Sequence, residues 1–389
     1  MSLKNMQGNI SFLSTFPPRE CGLATFTQDL IEALDNNGTV STNVIAVKNM
    51  EDHIYGSKVF AEIAQHVDED YIKTAQLLNS SDINLLVIEH EYGIYGGEHG
   101  EHILSLVNNL EIPVVTTLHT ILSEPNPKQR LIINTLGKRS AKVITMAGNS
   151  KDVLQSVYGV DPAKIEVIHH GVPKKLIQSR ESLKKKYGHE NKQIISTFGL
   201  IGPGKGLELG IEAISKVVKE NKDILYLILG QTHPALKEQG RFYRNKLEEL
   251  VEKLGLGENV RFINKYLSKD EIIQYLQMSD IYMTPYMGKE QAVSGTLAYA
   301  VGYGKVIVST PYLYAKEMLA DGRGLLAEFN NPNSLADCII YIIQNPDKKA
   351  KMERNTMKLG RTMYWDKIAK LYNEVFVDTI RSSQKMGVI

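Results

Sequence analysis

Cysteine is almost absent from this 389-residue chain. Cys21 and Cys338 stand alone and far apart, so no disulfide framework exists and a reducing cytoplasm is the expected setting. Long apolar runs are missing too. No stretch is long enough to span a bilayer, and the first residues lack the apolar core of a signal peptide. The expectation is a cytoplasmic protein, with peripheral membrane contact left open. Neither sign of charge is in excess: 45 Lys plus Arg face 44 Asp plus Glu, which argues against a global nucleic-acid footprint. The basic runs Lys184–Lys186 and Lys348–Lys351 lie in helical, polar surroundings and read as solvated faces. Internal repeats and low-complexity segments are missing as well.

What is present is a regular alternation of short apolar runs and helix-period segments. The chain is too long for one ordinary core, so two domains are the default. Strands are predicted at Ile10–Ser14, Asn43–Val47, Leu85–Glu89, Val114–Leu118, Lys142–Met146 and Ile165–His169. A second series follows at Ile194–Phe198, Ile224–Leu229, Val260–Ile263, Ile281–Thr284, Val306–Ser309 and Leu325–Glu328. Most are continuously apolar, as parallel strands covered on both faces must be. The spacing calls for crossover helices, so each half reads as a doubly wound α/β domain.

The turn-rich His170-Gly171-Val172-Pro173 ends the first series, and a polar helix at Ser179–Tyr187 precedes the second. Helical spacing at Tyr364–Ile380 suggests a last helix that crosses back. The expected domains are 1–172 with 364–389, and 173–363. Ligands of such folds bind beyond the C-terminal strand ends. Two domains facing each other would enclose a central cleft.

Residues 281–310 carry the most functional information. They read as a strand, a loop with one carboxylate (Glu290), the small-residue turn Ser294-Gly295-Thr296, a helix and another strand. The helix start offers unpaired N–H groups and the positive end of the macrodipole, which suits a phosphate or diphosphate. A carboxylate nearby would serve the uncharged, hydroxyl-rich part of the ligand. That combination describes a sugar nucleotide. The second domain opens with STFGLIGPGKGLELGIEAI, in which Gly202, Gly204 and Gly206 permit positive φ and close backbone approach. Lys205 places a point charge near a helix start. No Ser or Thr follows the lysine and the spacing is wrong, so this is not a Walker loop; nor is it a dinucleotide fingerprint. A tight turn with a solvated lysine is the alternative, and the Ser294–Thr296 turn in the same domain favours phosphate binding.

The segments FPPRECGLATFTQDL, TLHT (117–120), IHHGVP (168–173) and FGLIGPGKG (198–206) occur in a particular order. ILGQTHP (228–234), YMTPYMGKEQAVSGTLAYA (282–300) and ADGRGLLAEF (320–329) continue it. In that order and spacing the chain resembles a retaining family 4 glycosyltransferase (glycosyl transferases group 1) of the GT-B architecture, two Rossmann-like domains facing a cleft. The resemblance implies transfer of a hexosyl group, mannose or glucose, from a nucleotide-diphosphate sugar such as GDP-mannose or UDP-glucose. The acceptor would be a carbohydrate or glycolipid.

By that resemblance Gly204, Lys205, Gly206 and the backbone at Ser294, Gly295, Thr296 and Leu297 hold the donor diphosphate. Glu290 matches the first glutamate of the family's glutamate–seven residues–glutamate motif, and His119 the histidine near the donor sugar. Both are the expected catalytic residues. Phe262 and Leu267 bound the expected nucleobase region. Arg19, Gly22, Glu91 and Tyr92 are expected on the acceptor side, where IEHEYGIYGGEHGEH (88–102) supplies carboxylates and tyrosines suited to hydroxyl recognition. His99 and His102 lack a third ligand, so no metal is expected. Cys21 reads as a small packed residue.

Two positions depart from the family pattern. Ala298 replaces the second glutamate of the motif, and Leu200 replaces the arginine that accompanies the loop lysine. Arg241, Arg244 or Arg19 are candidates for the missing charge. The rival readings are a GT-B-type phosphorylase or epimerase, and a catalytically silent nucleotide-sugar-binding subunit.

Overall fold

Runs of Val, Ile and Leu without polar alternation can be buried on both faces only between two layers of helix. The structure, a computed structural model, uses them in that way and describes residues 8–49, 53–232 and 237–385. The first sheet comprises β1 (Gly8–Ser14), β2 (Val40–Lys48), β3 (Val59–Ala64), β4 (Leu85–His90), β5 (Val114–Leu118), β6 (Lys142–Thr145) and β7 (Ile165–Val167). Its order is β3-β2-β1-β4-β5-β6-β7, every pairing parallel. The second comprises β8 (Gln193–Phe198), β9 (Ile224–Leu229), β10 (Val260–Ile263), β11 (Ile281–Thr284), β12 (Ile307–Ser309) and β13 (Gly324–Leu326). Its order is β10-β9-β8-β11-β12-β13, again all parallel.

The chain divides into two compact units. The first ends at Pro173 and also takes in Glu290–Val293 and the chain from Met363 onward; the second comprises Lys174–Lys289 and Ser294–Thr362. In the first unit Ile10, Phe12, Leu30, Val44 and Val87 form the core with Ile368, Tyr372 and Phe376 of the helix Trp365–Lys385. Phe12 and Phe376 meet edge to face, 5.9 Å between centroids. Burying one such ring contributes about 1.5–3 kcal/mol. The segment entering that helix is fixed by Val172, which donates to Met363 O (2.8 Å) and accepts from Trp365 N–H (3.1 Å).

The second core gathers Ile195, Tyr226, Ile228 and Met283 of the sheet against Leu207, Ile211, Ile214 and Val217 of the helix Leu207–Glu220. Those helical positions recur at a period near 3.6, so one face is apolar. The polar helix begins at Arg180 because Ser179 caps it, accepting from Ser182 N–H.

One strand differs from the sequence expectation. β3 (VFAEIA) is not among the strands expected from sequence, yet it pairs with β2. It is an edge strand with alternating exposure and a register break opposite Val44/Ile45, so it lacks the continuous apolar signature of its neighbours. Among the described residues no helix is long and apolar enough to cross a membrane.

Candidate active site

In each sheet the winding direction reverses beside the first strand of the series, between β1 and β4 and between β8 and β11. Loops leaving the C-terminal ends of such strands diverge and leave room for a ligand. In the second unit, the glycine-rich loop follows β8, residues 285–289 follow β11, and Ser294 resumes the unit at the start of the next helix.

Gly206 closes the glycine-rich loop at φ 62°, and a Cβ there would stand 2.0 Å from the carbonyl oxygen of Pro285. Only glycine lets the loop settle against the β11 exit. The Gly204 carbonyl accepts from Met287 N–H at 3.0 Å. Lys205 is thereby carried over Tyr286, its Nζ 4.1 Å from the ring centroid. The Tyr286 hydroxyl lies 3.0 Å from Thr296 Oγ1. A methyl group at Gly199 would sit 3.4 Å from Thr296 Cγ2. The loop ammonium and the helix start are therefore joined through one phenol ring.

That helix, Gly295–Gly302, starts after Ser294, whose Oγ accepts from Leu297 N–H at 3.3 Å. The Leu297 amide is thus served by the chain itself. Those of Gly295 and Thr296, which have no intrahelical acceptor, are the donors left for an anion. Ala298 is fully buried, so this part of the site offers a methyl group where the family pattern has a carboxylate.

Leu267 is buried and Phe262 half-buried. The Arg244 guanidinium lies 4.0 Å over the Phe262 ring, with Nε 2.6 Å from Glu248 Oε1. Its Nη1 is buried without a partner. Arg241 is exposed, and Arg19 donates to Val47 O (3.3 Å) and Gln65 Oε1 (3.5 Å). His233 and Pro234, the end of the ILGQTHP segment, lie outside the described residues.

In the first unit, the second-last residue of β4 is a carboxylate with no solvent exposure, Glu89. Its Oε2 lies 2.8 Å from His119 Nε2. A carboxylate there sets the proton on Nε2 and leaves Nδ1 with a free lone pair. His119 follows β5, its N–H bonded to His90 O at 3.0 Å, and its ring meets Phe26 edge to face at 4.9 Å.

Glu91 Oε1 accepts from Tyr92 N–H (2.9 Å), and Oε2 accepts from the Thr120 hydroxyl (2.6 Å). Tyr92 is buried and meets the ring of His90 at 5.0 Å. His90 is wholly buried with neither ring nitrogen partnered, and burial pushes its pKa down to about 3, His119 adding to the effect. Both oxygens of Glu290 are held by Ser123, Oε2 by its N–H at 2.8 Å and Oε1 by its hydroxyl.

Gly22 opens the helix Gly22–Asn37, and a Cβ on it would meet nothing within 4 Å. Cys21 caps that helix, its Sγ 3.4 Å from Ala24 N. His99 and His102 turn to different partners, Asn126 and the Tyr71 ring.

The sequence pattern described as Glycosyl transferases group 1 matches residues 179–359, and that described as Glycosyltransferase Family 4 matches residues 22–175. The chain belongs to this glycosyltransferase family. An uncharacterized glycosyltransferase of Methanocaldococcus jannaschii is 22% identical over 93% of this chain and 97% of its own length. A D-inositol 3-phosphate glycosyltransferase of a Nocardioides species is also 22% identical, over 68% of this chain and 62% of that one.

HepE of Anabaena, solved with UDP and glucose, superposes with a TM-score of 0.76 at 16% identity, covering 96% of this chain and 100% of that one. Sucrose-phosphate synthase of Thermosynechococcus elongatus gives 0.78 at 15% identity, covering 97% and 100%. The fold is the two-domain, Rossmann-like GT-B fold of these structures.

In this glycosyltransferase the structure groups the expected residues by unit. Lys205 is linked to the Ser294–Leu297 turn through Tyr286 in the second, while His119, Glu91 and Glu290 are each tied to a close partner in the first. Glu89, Thr120, Ser123 and Tyr286 were missed from sequence. Glu89 left a signal: it is a charged residue one position from the end of an otherwise apolar strand, LLVIEH. Ser123 left none.

Proposed function

We propose that the protein is a retaining hexosyltransferase that takes a nucleotide-diphosphate sugar as donor. Lys205 and the Gly295 and Thr296 amides bind the diphosphate. Arg244, stacked on Phe262 with a buried free Nη1, borders the base and supplies part of the charge that Leu200 cannot. The observation that supports this reading is the Lys205–Tyr286–Thr296 chain, in which one phenol ring links the ammonium to the start of the helix.

In the reaction the bond from the anomeric carbon to the diphosphate oxygen breaks, and a bond to the acceptor oxygen forms on the same face. The acceptor's proton passes to the departing phosphate oxygen. Lys205 and the two amides stabilise the charge that grows on that oxygen, while the sugar passes through an oxocarbenium-like state. His119 and Glu290 orient the sugar's hydroxyls. UDP-glucose is the first donor to try, since HepE has been solved with UDP-glucose; GDP-mannose is the second. The acceptor is a carbohydrate or a lipid-linked sugar.

The test is a thermal-shift series with UDP, GDP, ADP and their sugars, followed by turnover of the winning donor. A ligand that binds only the folded form raises the melting temperature. Lys205→Ala should abolish the shift without lowering the unliganded melting temperature; an unchanged shift sinks the assignment. The second reading is a silent nucleotide-sugar-binding subunit, favoured by the buried Ala298. Binding without donor turnover over a panel of acceptors would select it.

A further inference from the structure

A cavity of about 760 Å³ in the second unit lies at the N-terminal end of its sheet, away from the loops that carry Lys205 and Thr296. Five cations line it, Arg180, Lys305, Arg354, Lys358 and Arg361, against two carboxylates, Glu181 and Glu353. Glu353 is already paired with Arg180 and Lys349, and Asp280 behind it with Arg180 and Lys184. Arg354, Lys358 and Arg361 follow one another at i, i+4 and i+7 along the helix Pro346–Gly360 and its first residue beyond, so they share a face. No ion pair to any of the three is found among the described residues. A helix C-terminus favours a cation in its last turn, but that does not account for Arg354 or for a lysine in the floor.

Lys305 is that lysine, 4% exposed, with Nζ held by the carbonyls of Gln277 (3.2 Å) and Ser279 (2.8 Å). An ammonium has three donors. Burial pushes its pKa well below the usual lysine value, and Arg180 pushes it further. An anion in the cavity would favour the charged ammonium and so offset both effects.

The cavity's rim is apolar and exposed. Ile177, which lines it, and its neighbour Leu176 are 61% and 85% exposed. They do not hang on a loose loop. The side chain of Gln277, itself buried, donates to Leu176 O (3.1 Å) and accepts from Gln178 N–H (3.1 Å). The backbone is clamped on both sides of Ile177 while two aliphatic side chains are held in water, a costly arrangement for a surface that meets only solvent.

We propose that this face docks on an anionic bilayer: a phospholipid phosphate enters the basic cavity, and Leu176 and Ile177 enter the acyl boundary beside it. Charge complementarity argues for an anionic surface, and the apolar pair argues for a bilayer over a phosphate free in solution. Two weak signals of this kind together give stable anchoring where one does not. The inference does not depend on the proposed donor or reaction.

The test is cosedimentation of the full chain with phosphatidylcholine vesicles and with vesicles of equal parts phosphatidylcholine and phosphatidylglycerol. Binding is expected to the anionic vesicles only, and to weaken with added salt. Lys358→Ala with Arg361→Ala should reduce the partition coefficient about tenfold or more, each surface charge being worth about fivefold. Leu176→Ser with Ile177→Ser, which leaves the charges in place, should reduce it as well. An unliganded melting temperature and far-UV circular dichroism spectrum equal to those of the unmodified protein show that both variants are folded. Equal binding to neutral vesicles, no binding to either, or undiminished binding by both double variants overturns the proposal. So does a thermal shift by inorganic pyrophosphate or glycerol phosphate that requires Lys358 in a protein that ignores vesicles; the cavity would then serve a soluble phosphate ester.

Discussion

Glu89 Oε2 and His119 Nε2 lie 2.8 Å apart, the carboxylate wholly buried and the imidazole edge reaching the surface. The pair lies at the C-terminal edge of the first sheet, where β4 and β5 run side by side. Glu89 fixes both the ring's orientation and its tautomer. Glu89→Gln keeps the volume but lets the side-chain amide donate to the ring, so the proton moves off Nε2. If His119 orients the donor sugar, kcat should fall by about a hundredfold, the scale of a misplaced reacting group. The donor KM should change little, since the diphosphate contacts are untouched. An equal rise in KM with kcat preserved would mean that the pair serves binding alone.

The Tyr286 ring separates two contributions at the diphosphate site. Tyr286→Phe keeps the face under the Lys205 ammonium and removes the hydrogen bond to Thr296. Lys205→Ala removes the charge and keeps the bond. Nucleotide affinity should fall about three- to tenfold in the first variant, as for one neutral hydrogen bond, and about ten- to a hundredfold in the second, as for a charged one. Isothermal titration with the nucleoside diphosphate reads both. Equal losses would mean that the tyrosine places the lysine and the helix start contributes nothing of its own.

What could be seen from sequence, and what could not, follows from the range of the interactions. Continuous apolar strands such as LLVIEH and ILYLIL are buried at every position, and a strand covered on both sides has no alternative sequence signature to hide behind. β3 escaped because an edge strand with exposed Phe60 looks like connecting chain. The glycine-rich loop was legible because its chemistry is local: positive φ at Gly204 and Gly206 needs glycine and little else. The pairs Glu89–His119, Lys205–Tyr286 and Ser123–Glu290 were not. Each joins strand ends or loops that only the parallel strand order or tertiary packing brings together, and no periodicity records such a meeting. The Cys21 thiol, read from sequence as a small packed residue, is half-buried and also caps a helix, a role that depends on the extended backbone at that residue.

Gly206→Ala tests how the diphosphate loop is held. The added methyl would meet the Pro285 carbonyl oxygen at 2.0 Å on a residue at φ 62°. Backbone cannot yield as a flexible side chain would, so the loop must lift from the β11 exit. The strain of the left-handed conformation alone costs about 1 kcal/mol or more. Nucleotide binding should be lost together with at least that much stability by urea denaturation. Gly204→Ala is the control: φ is 89° there, but nothing lies within 4 Å of a Cβ. It should cost stability through strain alone and keep measurable nucleotide binding.

Acid should destabilise the first unit through two buried histidines. Burial holds His90 at about 3 and His170 at about 4, against an ordinary value of 6.5. The unfolded chain therefore takes up a proton at each near pH 6.5 while the folded chain refuses it. Their contribution to stability is complete above 6.5 and drains away as pH falls toward 4 for His170 and 3 for His90. The loss is about 1.4 kcal/mol per pH unit for each histidine within its window. Between pH 6 and pH 5 the pair should remove on the order of 2–3 kcal/mol, seen as a lower urea midpoint at constant m. His90→Phe deletes one titrating ring and keeps an aromatic disc against Tyr92 and Tyr95. Its stability should fall with acid about half as steeply over that interval. A slope equal to that of the unmodified protein would show that His90 accepts its proton in the folded state, and that the rings around it open to let water in.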